Sequence, residues 1–107
     1  MSLDFYLQAP RVVTVHSQNI THNLNTMAEA AGLYHVLWRP DEHGITHANQ
    51  CIEPLRKGIA ELVARKPEML KLNPSNGWGD YDGLLAFARE ALAACEDNPD
   101  AEVRVSR

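Results

Sequence analysis

The chain is poor in cysteine, with two in 107 residues, Cys51 and Cys95, and neither belongs to a CxxC pair. A disulfide framework and a cysteine-rich zinc site are thereby excluded. Each cysteine sits among apolar residues at helical spacing, so buried free thiols in a reducing cytosol are expected. Long hydrophobic runs are also missing, and nothing reaches the roughly 18 apolar residues that a membrane helix needs. No basic start leads into an apolar segment, so neither secretion nor a membrane partner is expected. Positive charge is scarce and scattered, with 10 Lys and Arg against 14 Asp and Glu and a net charge of −4. Binding a phosphate backbone needs a basic face that displaces counterions, so nucleic acid is not an expected partner.

Several chemical signatures are absent as well. There is no HExxH, no GxxxxGK[ST] and no nucleophile elbow around Ser17, Ser75 or Ser106. Pairs such as Asp80/Asp82 and Asp41/Glu42 arise easily by chance among 14 carboxylates and carry no enzymatic role by themselves.

What is present is an ordinary folding composition, 45% apolar and 22% charged. A chain of this length buries about 60 to 68% of the surface its unfolded form exposes, enough for one core. Residues 1–107 are therefore expected to form a single globular domain of α+β class, three principal helices packed on a small sheet made by N- and C-terminal strands.

"LDFYL" (3–7) and "RVVTVH" (11–16) read as two strands, or as one strand broken at Pro10, and "AEVRVSR" (101–107) as a further strand in which Ala101, Val103 and Val105 alternate with polar residues. Leu24, Met27, Ala28 and Ala31 predict a helix that Thr21 caps and Gly32 ends, with a competing start at a Thr26/Glu29 capping box. Leu33 to Trp38 reads as an apolar stretch of linker stopped by Pro40. A longer helix is expected from Thr46 to Lys66, with Ala48, Ile52, Leu55, Ile59, Leu62 and Val63 on its buried stripe. Pro54 must either kink that helix or mark a later start. Pro67 should open a further turn, and a last helix runs from about Tyr81 to Glu96.

Two polar segments are candidate sites. "HSQNITHN" (16–23) joins a strand to a helix, with Asn19 and Thr21 able to cap and His22 the residue best suited to proton transfer. Asn23 completes this group. "NPSNGWGDYDG" (73–83) is the densest run of special residues in the chain. Pro74, Asn76-Gly77 and Gly79 suit tight turns, and Asp80 suits a helix cap. Asp80 and Asp82 would repel a phosphate at that helix end, which excludes a phosphate loop despite the glycines. Trp78 and Tyr81 either plug the ends of the long helices or line a pocket or partner surface.

No metal site is expected. His43 and His47 have helical ligand spacing, but Gly44 and Thr46 interrupt it, and His16 and His22 could join them only through the fold.

Asn19-Ile20-Thr21-His22-Asn23-Leu24, Asn73-Pro74 with Asn76-Gly77-Trp78-Gly79 and Tyr81, and Val103-Arg104-Val105-Ser106 together resemble a family of small uncharacterised proteins of bacteria and their phages. Asn-Gly-Trp-Gly is the most specific element of that resemblance, which spans nearly the whole chain. It implies a stand-alone cytoplasmic protein of bacterial or phage origin and brings no activity with it.

The expected function is that of a non-enzymatic accessory or protein-interaction domain that associates with itself or with another protein, without a cofactor. The alternative is a small ligand-binding domain or enzyme using His22 with Trp78, Tyr81 and Asp80.

Overall fold

A computed structural model describes residues 2–9, 13–77 and 79–107. Pro10, Arg11 and Val12, expected around the start of the second strand, and Trp78 of the glycine-rich stretch lie outside the described residues.

The α+β architecture is as the sequence predicts. Strands β1 (Ser2–Ala9), β2 (Val13–Thr21) and β3 (Glu102–Ser106) form an antiparallel sheet in the order β2-β1-β3. The first strand takes the centre because its alternating residues Leu3, Phe5 and Leu7 are fully buried. Fully burying each such side chain contributes about 1.5–3 kcal/mol. Val105 and Val103 stand opposite Phe5 and Leu7 on one side, and Ile20 stands opposite Leu3 on the other. The register slips between Leu7, which faces His16, and Gln8, which faces Thr14. Val15 is thus the extra residue of a bulge, which explains why a valine in a strand is 42% exposed.

The polar segment 16–23 is not a loop. It continues β2 as far as Thr21, because its side chains find partners on both faces of the sheet. Asn19 donates to Ser2 Oγ at 2.9 Å and Asp4 Oδ1 at 2.7 Å. On the inner face Gln18 donates to the Phe87 carbonyl at 3.0 Å. Only Ile20 marks this part of the inner face as apolar, so period-2 alternation could not announce it.

Thr21 then caps a 3-10 turn, His22–Leu24, that runs into α1 (Asn25–Ala30). Gly32, at φ 78°, takes the left-handed conformation after that helix. The predicted linker also forms structure, α2 (Tyr34–Leu37) followed by a 3-10 turn, Pro40–His43. Trp38, placed in a linker by the sequence, is a core residue at 1% exposure.

The expected start at Thr46 is replaced by a short 3-10 turn, Ala48–Gln50, and α3 runs from Ile52 to Ala64. Pro54 decides this, since its missing N–H is harmless in the first turn, where amides have no partner within the helix. Val63, predicted on the buried stripe, is 52% exposed. Lys66–Leu70 forms α4 with Pro67 in its first turn. Tyr81–Asp97 forms α5, whose small residues Ala88 and Ala91 let α3 pack closely against it.

One apolar core joins sheet and helices. Cys51 and Cys95 meet inside it as free thiols, and Cys51 lies well above the ordinary thiol range because it donates a hydrogen bond to Cys95 and is buried. The far end of the chain is tied down by Arg107, which bonds the Trp38 carbonyl at 2.9 Å and pairs with both carboxylate oxygens of Asp41.

Candidate functional site

The two polar segments, some fifty residues apart in sequence, meet in space. The contact is made by Gly79, whose φ of 94° favours glycine. A methyl group built on Gly79 would lie 2.8 Å from Thr21 Cγ2 and 3.0 Å from Leu24 Cδ1. The backbone beside Asp80 therefore lies directly on the cap of the 3-10 turn that carries His22.

Local bonds fix both segments. Thr21 Oγ1 accepts from the Asn23 amide at 3.2 Å, and Asp80 Oδ1 accepts from the Gly83 amide at 2.7 Å. Asn73 Oδ1 accepts from the Tyr81 amide at 2.9 Å, so the turn is closed by side chains at either end. These bonds satisfy amides that a helix start leaves without partners.

His22 is half-buried, and its Nδ1 accepts from Trp38 Nε1 at 2.8 Å. An indole N–H only donates, so the neutral ring carries its proton on Nε2. Nε2–H is the atom left for a ligand, and it serves as a donor. A His22 that abstracts protons through Nδ1 would have to release a core tryptophan.

Tyr81 is 2% exposed, with its hydroxyl donating to the Leu62 carbonyl at 2.6 Å. Its ring plugs the space between α5 and α3, with Lys66 Nζ 5.6 Å from the ring centre. Asn19, Asn23, Asn76 and Asp80 are exposed. The fold thus brings Thr21 and Leu24 against Gly79, holds His22 on Trp38 and turns the Tyr81 ring inward.

The chain matches no family model, curated protein or solved structure. The site must therefore be read from its own geometry.

The remaining histidines are distributed elsewhere. His16 Nε2 lies 2.7 Å from Gln18 Oε1, and His47 Nδ1 lies 2.8 Å from Thr46 Oγ1. The four histidines weighed as metal ligands from sequence do not gather, and among the described residues no three His, Cys, Asp or Glu side chains stand ready for a metal. His43 instead pairs with His35, their ring centres 5.3 Å apart. Sequence reasoning missed His35 because it lies eight residues before His43 in an apolar stretch, across Pro40, with no motif spacing. It missed Trp38 as the partner of His22 for the same reason. An indole that seeks an acceptor was the available signal, since buried tryptophan N–H groups are bonded.

No helix among the described residues is long and apolar enough to cross a membrane.

Proposed function

We propose that this chain is a non-enzymatic protein-interaction domain whose docking face is the junction of Asn19, Thr21, His22 and Asn23 with Asn76, Gly77, Gly79 and Asp80. The observation that carries this reading is the close approach of Gly79 to Thr21 and Leu24. It ties the turn that carries the exposed Asn23 to the backbone beside the exposed Asp80, both held by the caps at Thr21 and Asp80. Preorganised surfaces lose little entropy on binding, which favours a docking role.

The reading against catalysis rests on the same atoms. Asp80 is committed to an amide, Tyr81 to a carbonyl and His22 Nδ1 to Trp38. The partner is a second copy of this chain or another protein, and the outer edge of β2, which among the described strands pairs with β1 alone, supports the former. The chain's acidity argues against nucleic acid, and its two reduced core thiols favour a cytoplasmic setting. A bacterial or phage origin is part of the same proposal and rests on the resemblance carried by Asn76-Gly77-Trp78-Gly79.

Sedimentation equilibrium of the full chain over a wide concentration range tests the reading, with chemical cross-linking in host lysate for a different partner. Association should be weakened by Asn23→Arg and by Asn76→Arg with the fold intact, since both residues are exposed. A strict monomer that cross-links to nothing refutes it, as does association that both variants leave unchanged.

A further inference from the structure

We infer that two copies of this chain pair along the outer edges of β2, in an antiparallel register centred on Gln18. The inference names the partner of the docking face and rests on that reading, since β2 runs into the face at Thr21. The two edges of the sheet are finished differently. Beside β3, the Val103 amide donates to the Thr46 carbonyl at 2.9 Å, the Ala48 amide donates to the Ala101 carbonyl at 2.8 Å, and His47 bridges to Glu102. Glu102 and Arg104 add charge to that strand, a common guard against stray pairing. The outer side of β2 has neither protection. From Val13 to Thr21 it contains no proline and no Lys, Arg, Asp or Glu, and among the described residues no segment pairs with that side. Alternate residues of an antiparallel strand aim N–H and C=O away from their one neighbour, so this edge presents backbone donors and acceptors that another strand satisfies.

The occupant follows from charge and symmetry. Like charges directly opposite one another destabilise a strand pair, and a strand without charged side chains meets its own copy with none opposed. With one open edge per chain the contact is isologous and closes at two, joining two three-stranded sheets into one of six. The register follows from the ends of the open stretch. The bulge at Val15 bends the strand before His16, and Gly79 sits on Thr21 at the other end, which leaves residues 16–20. Residues directly opposite in an antiparallel pair share a face. The helices of both copies therefore lie on one side of the joined sheet only when the dyad passes through a residue rather than between two. That residue is Gln18, the midpoint of the stretch. Ser17 then stands opposite Asn19 of the second copy on the outer face, where both are exposed.

Sedimentation velocity of the full chain should show a concentration-dependent equilibrium between monomer and dimer. Hydrogen exchange of the same samples should slow at amides within residues 16–20 as concentration rises. Ser17→Lys with Asn19→Lys sets like charges opposite one another across the dyad, whereas Ser17→Glu with Asn19→Lys sets opposite charges there. The first variant should dimerise about fivefold or more weakly than the second, both keeping the far-ultraviolet circular dichroism of the unaltered chain. If the like-charge variant fails to fold, the exchange of the unaltered chain decides. A monomer at every concentration, a dimer without slowed exchange at residues 16–20, or two variants of equal affinity overturns the pairing. A dimer lost to Asn23→Arg and Asn76→Arg yet indifferent to the charges at positions 17 and 19 keeps the docking face and removes the edge. The reverse pattern keeps the edge and removes the docking face.

Discussion

Replacing Gly79 with alanine tests whether the two polar segments are interlocked or merely adjacent. Two costs fall on this substitution. A non-glycine residue in the left-handed region costs about 1–2 kcal/mol. The added methyl also meets Thr21 Cγ2 at 2.8 Å and Leu24 at 3.0 Å, and forced overpacking of that kind costs about 1–3 kcal/mol. Gly77 supplies the control, because it has a similar φ of 76° but open space where its methyl would go. Gly77→Ala should therefore show the backbone cost alone. The gap between the two variants isolates the interlock, and at about 4 °C per kcal/mol for a domain of this length it amounts to about 4–12 °C in melting temperature. Thr21→Ser removes the obstructing methyl and keeps the hydroxyl that caps the turn. In a double-mutant cycle it should recover part of the loss, the remainder belonging to Leu24. Thermal and urea unfolding followed by circular dichroism provide the readout. Equal destabilisation by Gly77→Ala and Gly79→Ala, or a cycle with no coupling, would refute the interlock and the docking face built on it.

Three further outcomes are expected. Tyr81→Phe leaves the ring in place but removes the donor to the Leu62 carbonyl, and should cost about 0.5–1.5 kcal/mol in urea unfolding. His35 has a folded pKa below its unfolded value near 6.5, so its contribution is complete above that pH. As pH falls from there the unfolded chain protonates first and stability declines toward the lower folded value, a slope that His35→Gln should flatten in pH-dependent melting. Cys51 and Cys95 are fully buried, so native protein should react with a thiol reagent only at the rate of local opening, and unfolded protein at once. Rapid labelling of the native chain would contradict their placement in the core.

The sheet was legible because Leu3, Phe5 and Leu7, and Ala101, Val103 and Val105, alternate with polar neighbours, and a half-buried strand imposes that period. The last helix was legible through Leu84, Phe87, Ala88, Ala91 and Cys95, and its cap through Asp80. The continuation of β2 was hidden because Gln18 and His16 occupy inward positions and satisfy themselves through one another and the Phe87 carbonyl. Trp38 was hidden for a tertiary reason, since its acceptor, His22, lies sixteen residues earlier. The meeting of Thr21 with Gly79 had no local signature. It follows from how α5 lies against β2, and only the folded chain specifies that.

The central position of β1 also sets an order of events. Its partner β2 follows at once, whereas β3 arrives only with residues 102–106. Closing so long an interval costs loop entropy, which the early hairpin does not bear. On a ribosome, β1 would emerge with one edge paired and the other bare until residues 102–106 had been made, a template for stray strands throughout that time. A chain stopped short of Glu102 should therefore be recognised by its tendency to aggregate.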